Sequence, residues 1–293
     1  MDESKICMVT MDDELYPPQL RDIPSPPKQL YYIGDITLAS GTVCVAMVGA
    51  RRCSEYGRYV AEKMAGRLAE NGITVVSGMA AGIDSYSHMG ALGARGKTIA
   101  VLGNGPDICF PKGSSRLKGQ IEREGLVLSE YPPGTQPLKW MFPQRNRIIS
   151  GICAATVVVE AGLGSGSLIT AEYAMEQGRS VYAVPANITS IMGLGCNRLI
   201  QDGAIPVAVI DDVVCDLASS GLCKKAEGPS SIMKQLGRDE TEIYNYILSF
   251  GETSMENLAK ALKKEAKELI PIVTILEMKG ILGSGLGKIF IAK

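Results

Sequence analysis

Histidine is nearly absent from this sequence: His88 is alone among 293 residues, and Trp140 is the single tryptophan. With one imidazole, neither a histidine-based metal cluster nor a set of cysteine–histidine dyads can be assembled, so no metal and no cofactor are expected. No apolar stretch approaches eighteen uninterrupted residues, which excludes a membrane-spanning helix. Met1 to Ile6 carry two acids and no apolar run, so the pattern of a secretory signal is missing and a cytoplasmic location is expected. A surplus of one charge is missing too: 30 Lys and Arg stand against 31 Asp and Glu, so no global field draws the chain to nucleic acid or membrane. Any nucleic-acid site must be local. The eight cysteines form no C-x-x-C and several lie in apolar runs, which reads as reduced core thiols. Neither a G-x-G-x-x-G turn in the dinucleotide position nor a Walker A loop is found; Gly283 to Lys288 lacks the spacing and the Ser/Thr of the latter. NAD and ATP are not indicated.

What is present is a regular alternation. Short β-branched runs occur at Val43–Val48, Ile73–Val76, Thr98–Leu102, Leu126–Leu128, Thr156–Val159, Val181–Val184 and Pro206–Ile210, with amphipathic segments such as Tyr56–Glu70 and Leu168–Gln177 between them. The runs are continuously apolar, so both faces of each strand are covered. That predicts an α/β fold with a doubly wound, mainly parallel sheet. Before it, residues 1–40 form a lead-in whose five prolines, Pro17, Pro18, Pro24, Pro26 and Pro27, predict a segment wrapped over a surface. The main domain is expected over 41–217 and a linker over 218–237. Residues 238–293 are expected to form a small winged-helix-like domain, with helices at Glu240–Leu248, Met255–Leu262 and Ala266–Lys279 before a hairpin that Gly280 opens. From Leu236 to Lys293 cations and acids are equal in number, so this module is a poor autonomous duplex binder.

Ligands of open α/β sheets sit beyond the carboxyl ends of the strands. Here those positions are rich in Gly, Ser and Arg: Gly49-Ala50-Arg51-Arg52, then Ser77-Gly78 followed by Gly82, then Gly103-Asn104-Gly105, then a small-residue turn from Glu160 through Ser165-Gly166-Ser167 to Thr170. Glycine admits a ligand to the backbone, helix N-termini favour anions, and arginine forks grip phosphate. One such turn is ordinarily tight β-to-α geometry; four in one domain point to a phosphate-lined groove. Between Glu130 and Glu160 there is no acid, while Lys139, Arg145 and Arg147 interleave with Tyr131, Trp140 and Phe142. Cations tracking phosphates beside aromatics that stack unpaired bases describe a single-strand binder. The competing reading packs Trp140 and Phe142 under the sheet and pairs the arginines with Glu130 or Glu160. Prolines at 132, 133, 137 and 143 argue instead for an ordered loop. Asp84 and His88, four apart, look like an acid–histidine pair, yet no nucleophile in a motif context accompanies them; a hydrogen bond from His88 that fixes the loop is the simpler role. The chain is therefore not expected to be an enzyme.

Taken together these residues resemble the DNA processing protein A (DprA/Smf) family, from about Tyr31 to Leu217. The series includes Val48-Gly-Ala-Arg-Arg52, Val76-Ser-Gly-Met-Ala-Ala-Gly-Ile-Asp84, Phe142-Pro-Gln-Arg-Asn-Arg-Ile-Ile149 and Ser165-Gly-Ser-Leu-Ile-Thr-Ala171. The resemblance implies an extended Rossmann-like domain, binding of single-stranded DNA, a homodimer, and loading of a RecA-type recombinase onto incoming strands in natural transformation. By the same resemblance the Arg51-Arg52 loop, Lys139, Phe142, Arg145-Asn146-Arg147 and Ser165-Gly166-Ser167 form the DNA groove, and Gly164 stands where many members carry a basic residue. The alternative is a nucleotide hydrolase of the lysine-decarboxylase-like phosphoribohydrolase class, with Glu160 as its acid; the Pro-Gly-Gly-x-Gly-Thr signature of that class is absent.

Overall fold

Six of the seven apolar runs become strands in the computed structural model, which describes residues 6–223, 236–279, 281–285 and 287–291, and the last, Pro206–Ile210, is not a strand beyond Pro206. Beyond a short antiparallel pair, β1 (Cys7–Thr10) and β2 (Gln29–Gly34), and a one-turn helix α1 (Leu38–Gly41), strands and helices alternate. They are β3 (Cys44–Gly49), α2 (Glu55–Glu70), β4 (Thr74–Ser77), α3 (Ile83–Gly93), β5 (Thr98–Leu102), α4 (Ser115–Glu124), β6 (Leu126–Ser129), α5 (Met141–Ile152), β7 (Ala155–Glu160), α6 (Gly166–Glu176), β8 (Ser180–Ala183), α7 (Leu194–Gln201), β9 (Ile205–Pro206) and α8 (Asp212–Ser219). The sheet has nine strands in the order β1-β2-β6-β5-β4-β3-β7-β8-β9, parallel from β6 to β9 and antiparallel where β2 meets β6 and β1.

Alternation along β3 shows why the runs are continuous. Val45 and Met47 face Val60, Met64 and Leu68 of α2, Ile83 of α3 and Val213 of α8. Ala46 and Val48 face the opposite layer, with Ile148 and Ile149 of α5 and Ala171 and Ala174 of α6. These four β3 residues are thus removed from water whichever way they point, and a β-branched chain contributes about 1.5–3 kcal/mol by full burial.

The lead-in differs from the expected wrap. It supplies β1 and β2, and its prolines lie in the connection between them, where Tyr16 is buried and donates from Oη to the Pro27 carbonyl at 2.6 Å. Two four-to-six-residue strands broken by proline pairs carry too little periodicity to be read from sequence. The proposed loop over 130–160 is also corrected: Met141–Ile152 is a helix. Pro143 lies in its first turn, where no intrahelical partner exists for the missing N–H, so proline punctuates the start of α5 without breaking it.

The chain divides into two compact units, Met1–Ala226 and Glu227–Lys293. Within the second, α9 (Arg238–Phe250), α10 (Met255–Leu262), α11 (Ala266–Met278) and a hairpin of β10 (Leu282–Gly285) and β11 (Lys288–Ile291) enclose Ile243, Ile247, Leu258, Leu269, Val273 and Leu276. Thr253 exchanges backbone hydrogen bonds with Ile289, tying the α9–α10 turn to the hairpin. Of the expected linker, residues 224–235 lie outside the described residues, as does Gly280. No helix among the described residues is long and apolar enough to cross a membrane.

Candidate functional site

Strand order reverses at β3 and β7. From β3 the sheet grows through β4, β5 and β6; from β7 it grows the other way through β8 and β9. Because α2 covers one face and α6 the other, the two helices diverge from neighbouring strands and open a crevice beyond the carboxyl ends. It is a cleft of about 730 Å³. Gly49, Ala50, Arg51 and Arg52 form one bank, and Gly162, Gly164, Ser165, Gly166 and Ser167 the other. Lys139, Phe142, Arg145 and Asn146 complete it from α5 and the segment leading into it.

The strand-tip reading therefore brings together most of its residues, in two distinct environments. Arg51, Arg52 and Lys139 are exposed, and none of them takes part in an ion pair among the described residues. The Arg51 guanidinium lies over the half-buried Phe142 ring, 5.6 Å from its centroid. Ser165 caps α6, its Oγ accepting from Ser167 N and lying 2.7 Å from Ser167 Oγ. Asn146 donates from Nδ2 to Gly166 O at 3.2 Å, fastening α5 to that turn. A run of small residues opening a helix, with hydroxyls grouped at its start, has the chemistry of an anion seat.

Arg145, Arg147, Ser77 and Gly78 are different. Arg145 is buried; its Nη1 donates to Gly78 O at 2.8 Å and to Val101 O, and the Asp84 carboxyl accepts from Gly78 N at 3.2 Å. Burial holds the guanidinium down at about 10 and pushes the Asp84 carboxyl up, and the opposite charge of each partner works against both shifts. A Cβ on Gly78 would come within 2.5 Å of Arg145 Nη2 and 2.8 Å of Asp84 Oδ2, so glycine there makes room for the buried pair. Ser77 is buried and donates to Met47 O at 2.6 Å. Arg147 points elsewhere, to Glu130 at 2.7 Å and to Ser25 O at 3.0 Å, so it locks the lead-in to α5. None of Ser77, Gly78 and Arg147 lines the cleft; Arg145 does so as a buried strut. The pairing of Arg147 with Glu130, weighed above as the plainer alternative, is what the structure has.

Gly82 sets the Arg51 loop. Its φ is +80°, and a Cβ would lie 2.3 Å from Ala50 O and 2.6 Å from Arg51 O, while Ile83 N donates to Ala50 O. Glu160 is removed from the chemistry assigned to it in the hydrolase alternative. It is 6% exposed and accepts at Oε2 from Ser54 N, 2.7 Å away, at the start of α2. Phe110 was missed as a site residue. Its ring is 5.4 Å from Phe142 and it lines the cleft, but it lies well past the end of β5, where the strand-tip rule does not look; the scarcity of phenylalanine was the available signal.

His88 is bonded to a strand rather than to a loop. Thr98 Oγ1 donates to Val75 O, so it accepts from His88 Nδ1–H at 2.7 Å. Nε2 is buried with no hydrogen-bond partner among the described residues, and burial, assisted by the Arg145 charge, holds the imidazole down to about 3. The folded state thus refuses a proton that the unfolded chain accepts at about 6.5. Stability from this residue is complete above pH 6.5 and is lost as pH falls toward 3. Between pH 7 and 5 the parent should lose about 2 kcal/mol more than His88→Leu in urea unfolding. Parallel pH profiles for the two proteins would disprove the assignment.

Comparison with known proteins follows the same cleft-bearing unit. The family model for DNA recombination-mediator protein A matches residues 7–218. The DNA processing protein DprA of Streptococcus pneumoniae is 48% identical over 204 residues, covering 70% of this chain and 72% of that protein. The Smf protein of Synechocystis is 41% identical over 222 residues, of which this chain spans 56% of the relative's length. Among solved structures, S. pneumoniae DprA superposes with a TM-score of 0.69 at 47% identity, covering 72% of this chain and 74% of the other. Helicobacter pylori DNA processing protein A, solved for its single-stranded DNA binding mode, superposes with a TM-score of 0.67 at 29% identity, covering 74% and 98%.

Proposed function

Because this chain belongs to the DNA recombination-mediator protein A family, we propose that its cleft holds single-stranded DNA and that it loads a RecA-type recombinase onto incoming strands in natural transformation. The observation that carries the reading is the convergence of three exposed cations without ion-pair partners among the described residues, a half-buried phenylalanine and a small-residue helix start in one cleft. Phosphates meet Arg51, Arg52 and Lys139 along one bank and the Ser165–Ser167 turn along the other. An unpaired base meets the Phe142 ring, with Phe110 beside it. In a duplex the base faces are stacked on one another, so the aromatic pair selects single strands. Residues 41–217, within the unit Met1–Ala226, are the Rossmann-like DNA-binding domain of this reading. The protein acts as a homodimer, and the winged-helix-like C-terminal unit, with balanced charge, serves protein contact more than duplex recognition.

The test is a salt titration of binding to a labelled single strand with duplex DNA as competitor. Affinity should fall linearly in log salt and duplex should compete poorly. Phe142→Ala should cost about 1–3 kcal/mol with little change in slope, because stacking is removed and charge is not. Equal competition by duplex, or unaltered affinity in that variant, overturns the reading.

A further inference from the structure

We propose that the outer face of α2 continues the single-strand track out of the cleft, with Tyr56 and Tyr59 as base-stacking platforms. The inference rests on the cleft reading above and extends it to residues that the reading does not use.

Tyr56 and Tyr59 are 56% and 54% exposed, on a helix whose other side is packed into the core through Val60, Met64 and Leu68. Tyr56, Tyr59 and Lys63 follow one another at spacings of three and four, which puts them on one stripe of the helix surface. The Lys63 ammonium lies 5.9 Å from the centroid of the Tyr59 ring. Beside the stripe, Arg58 lies 5.8 Å from the Tyr86 ring of α3 and is paired with Glu55 at 3.1 Å. Two cation–aromatic pairs therefore sit on the same pair of packed helices.

What covers such a face is decided by where it starts. Arg52, a cleft residue, immediately precedes the Cys53-Ser54 start of α2, and Ala80 and Asp84, near the start of α3, line the same cleft. A strand leaving the cleft past Arg52 meets Tyr56 within the first turn of α2. From Tyr56 to Lys63 the helix rises roughly 10 Å, the length of about three nucleotides at stacked spacing. Bases bring flat π-faces to exposed rings without any sequence requirement, which suits a protein that must accept any incoming strand. Glu55 and Glu62 offset Arg58 and Lys63 in number, so this extension adds stacking and very little net charge.

The experiment uses the full chain and fluorescence anisotropy with labelled oligothymidylates of about 6 and about 20 nucleotides, a short one that fills the cleft and a long one that also reaches α2. The Tyr56→Ala/Tyr59→Ala double variant should bind the long strand tenfold or more weakly, bind the short strand like the parent, and keep the parent's salt slope. The Tyr56→Phe/Tyr59→Phe variant should match the parent on both, because the π-face and not the hydroxyl is used. Parent-like binding of the long strand by the alanine variant overturns the proposal, as does equal weakening on both lengths. An altered subunit stoichiometry with unaltered DNA affinity also overturns it, since the face would then lie between copies. Failure of the parent to bind either length is instead the failure of the cleft reading, and it is seen before any variant is made.

Discussion

Arg145→Ala should destabilise the main unit by about 3–5 kcal/mol, a large fraction of the stability of a typical domain. The reason is asymmetry. The carbonyls of Gly78 and Val101 each accept from this guanidinium, and the Asp84 carboxyl is buried beside it. Truncation leaves those acceptors without their guanidinium donor and strands a buried acid whose opposite charge has gone. Arg145→Lys should recover only part of the loss, because a single ammonium cannot reproduce a planar fork held between two strand ends. Urea unfolding followed by helix circular dichroism and by the fluorescence of Trp140, the single tryptophan, reads the effect directly. Coincident parent and variant midpoints would mean that the buried network contributes nothing.

Replacing Arg51, Arg52 and Lys139 together by alanine should have the opposite signature: stability nearly unchanged and binding nearly gone. The three side chains are exposed and form no ion pair among the described residues, so their removal leaves no buried charge unpaired, and surface changes of this kind alter stability by about 0.5 kcal/mol or less. Each phosphate that the protein no longer neutralises lowers the salt slope for single strands by about 0.7, so the triple variant should bind with a slope smaller by about 2 and with affinity reduced on the order of a hundredfold near physiological salt. A variant with the parent's slope would place the phosphate-binding cations elsewhere. Arg147→Ala is the internal contrast, since its partner is Glu130 and its effect should fall on folding.

The same contrast marks how far the sequence could be read. Six of the seven apolar runs hold the strands β3 to β8, because a stretch covered on both faces of a sheet is mostly apolar at either parity, and that requirement is local. The final run, expected over Pro206–Ile210, is not a strand beyond Pro206: the edge strand is Ile205–Pro206, and it ends at the proline. The strand tips were legible for a related reason: glycine and serine before a helix leave a compositional trace. Arginine does not. Arg51 and Arg145 are the same letter, and whether one is solvated and the other is clamped between Gly78 and Val101 depends on α5 packing against backbone 67 and 44 positions earlier in the chain. Glu160 was ambiguous in the same way, since its partner, Ser54, precedes it by 106 positions.

That glutamate has a consequence for the character of the crevice. The helices α2 and α6 begin on its two banks, and each carries partial positive charge at its first turn. At α2 the charge is met from within by the Glu160 carboxylate, whereas at α6 neutral serine hydroxyls do the capping. The molecule thus supplies an anion of its own to one helix start and none to the other, so the field across the groove is lopsided. A polyanion laid there would feel fixed dipoles on the α6 bank and long, rearrangeable arms on the α2 bank. One wall would set its register, and the other could follow as it moves.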